Sequence, residues 1–323
     1  MLRYGTIGTS WITEKFILAA KEANSIELGA VFSRSIEKAL NFAGKHGAQD
    51  IYTDLDTMAK SSVIDCVYIA SPNSFHFEQA ILFLKNKKHV ICEKPIFRNK
   101  DELEYAYQVA EEKNVYLFEA IRNIHIPNLL QIKKNMTKIG KIGSVFFQRI
   151  RYSSKYDEYL KGEEPNVFSM KYGGGALVDL GVYPISLAVT LFGKPTDVSY
   201  SAVKLRTGVD GGGTLILQYT DFFCTIMCSK MSTSYNASEI HGEKGIISID
   251  DVGKLSVIKY ICNEDKQRVE IGRDQSENDM MYEIETFTRI IKTNDDEEYN
   301  RLKRISTDIL SITEEARKQN GIL

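Results

Sequence analysis

Residues 65–95 read D-C-V-Y-I-A-S-P-N-S-F-H-F-E-Q-A-I-L-F-L-K-N-K-K-H-V-I-C-E-K-P. Asp65 to Ala70 is an apolar run of strand length, Phe75 to Asn86 has helical character, and His89 to Cys92 is a second apolar run. Strand, helix and strand joined by short loops predict two parallel strands of one sheet with a crossover helix between them. The second strand stops at Glu93-Lys94-Pro95. A lysine between a carboxylate and a proline at a strand's carboxyl end can stand at the mouth of a cleft. There it can donate a proton to a carbonyl oxygen.

The same alternation extends to both sides. Upstream, Arg3 to Gly8 and Glu27 to Ser33 read as strands, Ile12 to Ala23 and Ile36 to His46 as helices. Downstream, Asp101 to Lys113 reads as a helix and Val115 to Phe118 as a strand. Residues 1–120 are therefore expected to form a Rossmann domain with a parallel sheet. The pattern then changes. Gln131 to Ile139 looks helical, Ser144 to Tyr152 extended, and Gly173-Gly174-Gly175 precedes a helix from about Leu177 to Leu191. β-like runs follow: Asp197 to Leu205, Gly213 to Tyr219, Phe222 to Ser229, Ala237 to His241, Ile246 to Ile249 and Lys254 to Tyr260. Turn signals separate them, and Gly211 to Gly213 after Asp210 reads as one more turn. Strands in succession with few helices predict an open, mainly antiparallel sheet, so residues 121–323 are expected to be an α+β domain. Helices at about Ser276 to Thr293 and Tyr299 to Lys318 end the chain and can pack back on the first domain. The expected class is α/β.

The chain has 323 residues, 43% hydrophobic and 26% charged, which suits an ordinary globular protein with two cores. A net charge of -2 argues against broad binding to nucleic acid or an anionic membrane. No apolar run is expected to reach the roughly 20 residues of a membrane span. Met1 to Gly5 enters a strand pattern directly, so no signal peptide is expected. Among the five cysteines, Cys66 and Cys92 lie in apolar strand runs, and Cys224 and Cys228 are four apart with no companion cluster. Buried thiols in a reducing compartment are expected, with neither a disulfide framework nor a metal site.

Gly5-Thr6-Ile7-Gly8-Thr9-Ser10-Trp11-Ile12-Thr13 lies between the first strand and the first helix, where a phosphate loop belongs. Aligned on Gly8, the second and third glycines of G-x-G-x-x-G are Ser10 and Thr13, so the motif alone is weak. Gly8, Thr9, Ser10, Trp11 and Ile12 are the candidate pyrophosphate contacts. The second strand ends Val31-Phe32-Ser33-Arg34-Ser35, without the carboxylate that holds the ribose of NAD. Ser33 can donate to a 2′-phosphate and Arg34 can pair with it, which favours NADP over NAD. The plain structural alternative is a capping serine beside a solvated arginine. Ala70, Ser71, Pro72 and Asn73, with His76, form a second loop at the sheet edge. They count with Glu93 and Lys94 among the candidate dinucleotide contacts, and His76 reads as structural more than catalytic.

Asp179 and Tyr183 are four apart on the expected helix and so share a face. Gly181 lets something approach that helix closely, and Pro184 predicts a kink or a helix start. A carboxylate and a phenol there could transfer a proton. An amphipathic helix with a buried tyrosine and a capping aspartate is the alternative. The candidate catalytic set is Lys94, Asp179 and Tyr183.

In this order the segments resemble the glucose-fructose oxidoreductase/inositol dehydrogenase/MocA family. The likeness covers nearly the whole chain. It rests on the Gly5 to Ile12 loop, Asp65 to Asn73 with His76, Lys88 to Pro95, Glu119-Ala120, Gly173 to Tyr183, and Glu239 to Gly245. The resemblance implies a nicotinamide cofactor and a hydroxyl-to-carbonyl reaction, usually on a sugar, polyol or related diol. It also implies a C-terminal sheet that often mediates oligomerisation, hence a homodimer or homotetramer. It maps the family's catalytic lysine to Lys94 and its helix aspartate to Asp179. Tyr183 stands where many members carry histidine. That tyrosine and Ser33-Arg34 resemble the branch with glucose-fructose oxidoreductase, dihydrodiol dehydrogenase and NADP-linked xylose dehydrogenase. The expectation is a cytoplasmic NADP-dependent oxidoreductase in which Tyr183 or Lys94 moves the hydroxyl proton and Asp179 positions the substrate. Two rivals share the fold: a dinucleotide-sensing protein without turnover, against which Lys94, Asp179 and Tyr183 count, and a hydrolase that redox-cycles a bound dinucleotide.

Overall fold

In the computed structural model, which describes residues 1–322, the first 120 residues supply six strands. They are β1 (Leu2–Ile7), β2 (Ile26–Phe32), β3 (Asp50–Tyr52), β4 (Cys66–Ile69), β5 (His89–Glu93) and β6 (Leu117–Ala120). Their order across the sheet is β3-β2-β1-β4-β5-β6, with every pair parallel. This is the doubly wound order, whose switch point lies between β1 and β4 and opens a crevice at the carboxyl ends of the strands. All four residues of β4 are buried, as in a sheet covered on both faces. The helix Trp11–Ala23 packs on it through Phe16, which stacks on Tyr68 with ring centres 3.7 Å apart and meets Tyr4 edge-on at 5.5 Å. Short β3 and the one-and-a-half-turn helix Leu55–Lys60 were not expected, being too brief for a periodic signal.

By packing, the chain forms two units: Met1–Ala120 with Ser276–Thr307, and Ile121–Gln275 with the chain from Asp308 onward. Within the first, the helix Met281–Thr293 lies beside Trp11–Ala23, and its Phe287 stacks on Phe118 at 4.5 Å.

The second unit holds β7 (Ile142–Ile150), β8 (Asp197–Lys204), β9 (Asp210–Gln218), β10 (Phe223–Ser229), β11 (Ser238–Gly242), β12 (Gly245–Ile249), β13 (Ile258–Cys262) and β14 (Arg268–Glu270). Their order is β14-β13-β12-β11-β7-β10-β9-β8. Only β7 and β10 run parallel; the other neighbours are antiparallel. Val145, Phe147, Leu215, Leu217, Cys224 and Ile226 line one buried face, against which the helical stretch from Leu177 packs. Ile216, Phe223 and Met227 point the other way and are 39%, 53% and 38% exposed.

Three expectations are corrected. Gly211 to Gly213 is not a turn but lies in β9, because a side chain at Gly213 would run into the Tyr200 ring and the Ser201 carbonyl of the next strand. Lys254–Val257 lies outside any strand, and β13 begins at Ile258. Met170–Phe192 is long and apolar enough by composition to cross a membrane, yet 72% of its most apolar window is buried inside the unit as core. Four of the five free cysteines are buried, while Cys262 is partly exposed.

Candidate active site

In the first unit the candidate loops all leave the carboxyl ends of their strands. Gly8 follows β1 with φ +111°, and a Cβ there would sit 2.7 Å from the Ala70 carbonyl oxygen. Only glycine lets the loop after β1 lie so close to the loop after β4. Gly8 is thus brought against Ala70, and the Ala70 N–H donates to Ile7 at 2.9 Å. Ser10 is the N-cap of the first helix, its side chain makes no capping bond, and Trp11 is 72% exposed. That helix start, with Thr9 and Ile12 beside it, offers backbone N–H groups to an anion.

At the end of β2, Arg34 is exposed and Ser33 half-buried. The cap of the next helix is Ser35, which accepts from the Lys38 N–H at 3.4 Å. Ser33 is therefore not consumed as the cap; its hydroxyl accepts from the Ser35 N–H at 3.3 Å.

The loops after β4 and β5 are strapped together by His76. Its ring is fully buried, with Nδ1 3.0 Å from the Pro95 carbonyl oxygen and Nε2 2.9 Å from that of Ser71. It is buried between the two loops and ties one to the other. Burial holds its pKa down against the pull of these carbonyls. Ser71 donates to Gln79 at 2.7 Å, and Pro72 and Asn73 lead into a short 3-10 turn.

The Lys94–Pro95 bond is cis. Glu93 is buried and accepts from the Tyr68 hydroxyl at 2.7 Å and from the Lys94 N–H at 3.3 Å. Behind the loop, Glu119 accepts from the Ile96 N–H at 3.0 Å, and burial pushes its carboxyl up to about 7. This raised value has a stability consequence. The unfolded chain loses the proton near 4.5 and the folded one near 7, so Glu119 costs stability progressively as pH rises through that window. Glu119→Gln keeps an acceptor for Ile96 and does not titrate. Its melting temperature relative to wild type is expected to rise from about pH 5 to about pH 7.5; a pH-independent difference would refute the assignment.

In the second unit a π-helical turn, Leu177–Gly181, carries Asp179, and the α-helix Val182–Phe192 carries Tyr183. Pro184 has no N–H to return to the preceding turn, which a widened turn accommodates. The start is anchored by Asp210, whose buried carboxylate accepts from the Leu177 N–H at 2.7 Å and the Tyr200 hydroxyl at 2.8 Å. What approaches Gly181 is the sheet: a Cβ there would meet Cys228 Sγ at 3.3 Å.

Asp179 and Tyr183 have different neighbours. The Asp179 carboxylate is ion-paired with Lys230. The Tyr183 ring is buried under two guanidiniums, Arg149 with Cζ 4.4 Å from its centre and Arg122 at 5.2 Å. The Tyr183 carbonyl accepts from Asn123 Nδ2 at 3.0 Å and lies 2.8 Å from the Ser186 hydroxyl. Arg149 is paired with Asp251, which Arg151 also contacts. Burial would raise the Asp251 carboxyl, but these cations and the Gly253 N–H hold it below the usual range.

Sequence reading missed Arg149, Arg122, Asn123, Lys230 and Asp210. Two left a signal. Val145, Phe147 and Arg149 alternate on the core face of β7, and Cys224, Ile226, Cys228 and Lys230 continue the core register of β10. A cation at a core position of a strand is the mark of a buried partner.

Comparison with known proteins gives the following. Residues 2–121 match the family model of oxidoreductases with an NAD-binding Rossmann fold, and residues 131–248 match the GFO/IDH/MocA C-terminal domain. The whole chain is 42% identical to scyllo-inositol 2-dehydrogenase (NADP(+)) IolU of Bacillus subtilis, spanning 98% of it. It is 40% identical, over 98% of the relative's length, to the uncharacterized oxidoreductase YgjR of Escherichia coli. Its fold matches that of KijD10, a 3-ketoreductase from Actinomadura kijaniata, with a TM-score of 0.84, covering 98% of this chain and 96% of that one at 21% identity.

Proposed function

The chain belongs to the GFO/IDH/MocA family of oxidoreductases, and from that premise we propose that it is a cytoplasmic NADP-dependent dehydrogenase of a ring polyol or related diol. The observation that carries the proposal is the placing of Gly8, Ser33-Arg34, Ala70 to Asn73 and Glu93-Lys94-Pro95 at the carboxyl ends of the strands of one doubly wound sheet. The 42% identity to an NADP-linked inositol dehydrogenase supports the substrate class, and the free thiols support a reducing compartment.

In this reading residues 1–120 hold the dinucleotide. Gly8 to Ile12 take the pyrophosphate at a helix start, Ser33 and Arg34 the 2′-phosphate, and Ala70 to Asn73 and Glu93-Lys94 the nicotinamide end. The close approach at Gly8 and the absence of a carboxylate after β2 both fit that group. Bound NADP would exchange a hydride with the substrate carbon. Residues 121–323 take the substrate. Asp179 accepts hydrogen bonds from its hydroxyls, and Lys94 or Tyr183 takes the proton of the hydroxyl that becomes a carbonyl, or returns it in reduction.

A panel of inositols, sugars and diols with NADP and NAD, followed by reduced-nicotinamide absorbance, tests the reading. NADP-linked turnover of a ring polyol is expected. Dinucleotide binding with no turnover of any member would replace it with the sensor reading.

Cofactor choice has its own test. Arg34 is exposed at the end of β2 with no ion pair among the described residues, so its charge is available to a phosphate. Arg34→Ala is expected to weaken NADP by roughly 1.5–3 kcal/mol, the worth of charge-assisted bonds, and NAD far less. Equal wild-type affinity for the two dinucleotides would remove the basis of the assignment.

The exposed Ile216, Phe223 and Met227 on the open sheet face, with Val203 55% exposed, support assembly through that face into a homodimer or homotetramer. Light scattering at micromolar concentration is expected to give a multiple of 36.6 kDa. A mass equal to one chain would count against it.

A further inference from the structure

We propose that Lys230 is a positioning residue for substrate recognition, holding the Asp179 carboxylate oriented toward the hydroxyls of the substrate. The inference rests on the polyol reading above and adds a residue to it.

The backbone delivers Lys230 to this place. It continues the core register of β10 after Cys224, Ile226 and Cys228, so its side chain turns to the sheet face against which the Asp179 turn packs. The Lys230 N–H donates to the Gly211 carbonyl at 2.8 Å, and its own carbonyl accepts from the Ser153 N–H at 2.9 Å. The side chain is 4% exposed, whereas that of Asp179 is 33% exposed. The ammonium pairs with Asp179 Oδ2 and stands 5.4 Å from the centre of the Phe168 ring. A carboxylate and an aromatic face are the two environments that stabilise a buried cation.

The energetics separate a role in folding from a role in recognition. Burying an ammonium carries a desolvation cost that its pairing at best offsets, so the pair is weak evidence for a stabilising role. The carboxylate next to it gains a fixed orientation. A buried cation behind one oxygen helps fix the direction of the carboxylate, to which vicinal hydroxyls can donate in charge-assisted bonds.

The test compares Lys230→Met, which keeps length and volume, with Lys230→Arg, which keeps charge. In Lys230→Met the KM for the ring polyol is expected to rise about 10- to 100-fold, the effect of one or two charge-assisted hydrogen bonds. The kcat and the NADP affinity should stay within about threefold, because the lost binding is common to ground and transition states. Lys230→Arg should recover most of the KM. An unchanged KM in Lys230→Met overturns the proposal. So does an Arg variant as poor as the Met variant with a matching fall in melting temperature, the pattern of a packing role. If the wild type turns over no polyol, the substrate reading fails by itself. A crystal structure of Lys230→Met then decides for Lys230: an Asp179 carboxylate in its wild-type orientation overturns the proposal, and one turned away supports it.

Discussion

Replacing Lys94 with methionine is expected to lower turnover by roughly 10²–10⁴, the usual worth of a general acid or base, while NADP still binds. The size of the effect follows from how tightly the lysine's loop is held by groups other than the lysine. Tyr68 donates to Glu93 at 2.7 Å, the Ile96 N–H donates to Glu119 at 3.0 Å, and the His76 ring stands between the carbonyls of Pro95 and Ser71. Each contact is buried or nearly so, and none uses the ammonium. Methionine keeps the length and apolar stem of the side chain and removes the charged donor. Steady-state kcat with the polyol, alongside a fluorescence titration with NADPH, measures both halves of the expectation. Near-normal turnover in a folded, cofactor-binding variant would remove Lys94 from the chemistry and leave Tyr183 as the proton carrier of the proposed set.

The parallel sheet was legible because its signals are local. Asp65 to Ala70 and His89 to Cys92 are continuous apolar runs, and helices of more than two turns separate such runs at regular spacing. The second unit was harder. Asp210-Gly211-Gly212-Gly213 carries turn chemistry in its composition, and tertiary packing against Tyr200 and Ser201 made it a strand. In Leu215-Ile216-Leu217 the two leucines are core and Ile216 faces outward, an alternation that apolar content alone does not reveal. At the site, single residues such as Lys94, Asp179 and Tyr183 could be singled out by neighbours in sequence. Their partners could not, because Lys230 and Asp179 are 51 positions apart and Arg149 reaches Tyr183 from a different strand. Reading the cations against the two-residue period of β7 and β10 recovers both, a step that requires the strand register first.

Tyr183→Phe removes one hydroxyl and leaves the ring where it is. The ring lies under Arg149 at 4.4 Å and Arg122 at 5.2 Å, contacts that phenylalanine retains, and the residue's carbonyl is fixed by Asn123 and Ser186. The variant should therefore fold and bind NADP as the wild type does. If the hydroxyl carries the proton of the reacting alcohol, turnover should fall by roughly 10²–10⁴. The double variant Lys94→Met/Tyr183→Phe then decides how the work is divided. Two groups that serve one proton transfer are not additive, so the double should be little worse than the poorer single. Losses that multiply would mean separate tasks, one residue moving the proton and the other polarising the oxygen. A Tyr183→Phe variant with wild-type kcat would leave Lys94 as the sole proton carrier of the proposed set and reduce the tyrosine to packing beneath the two arginines.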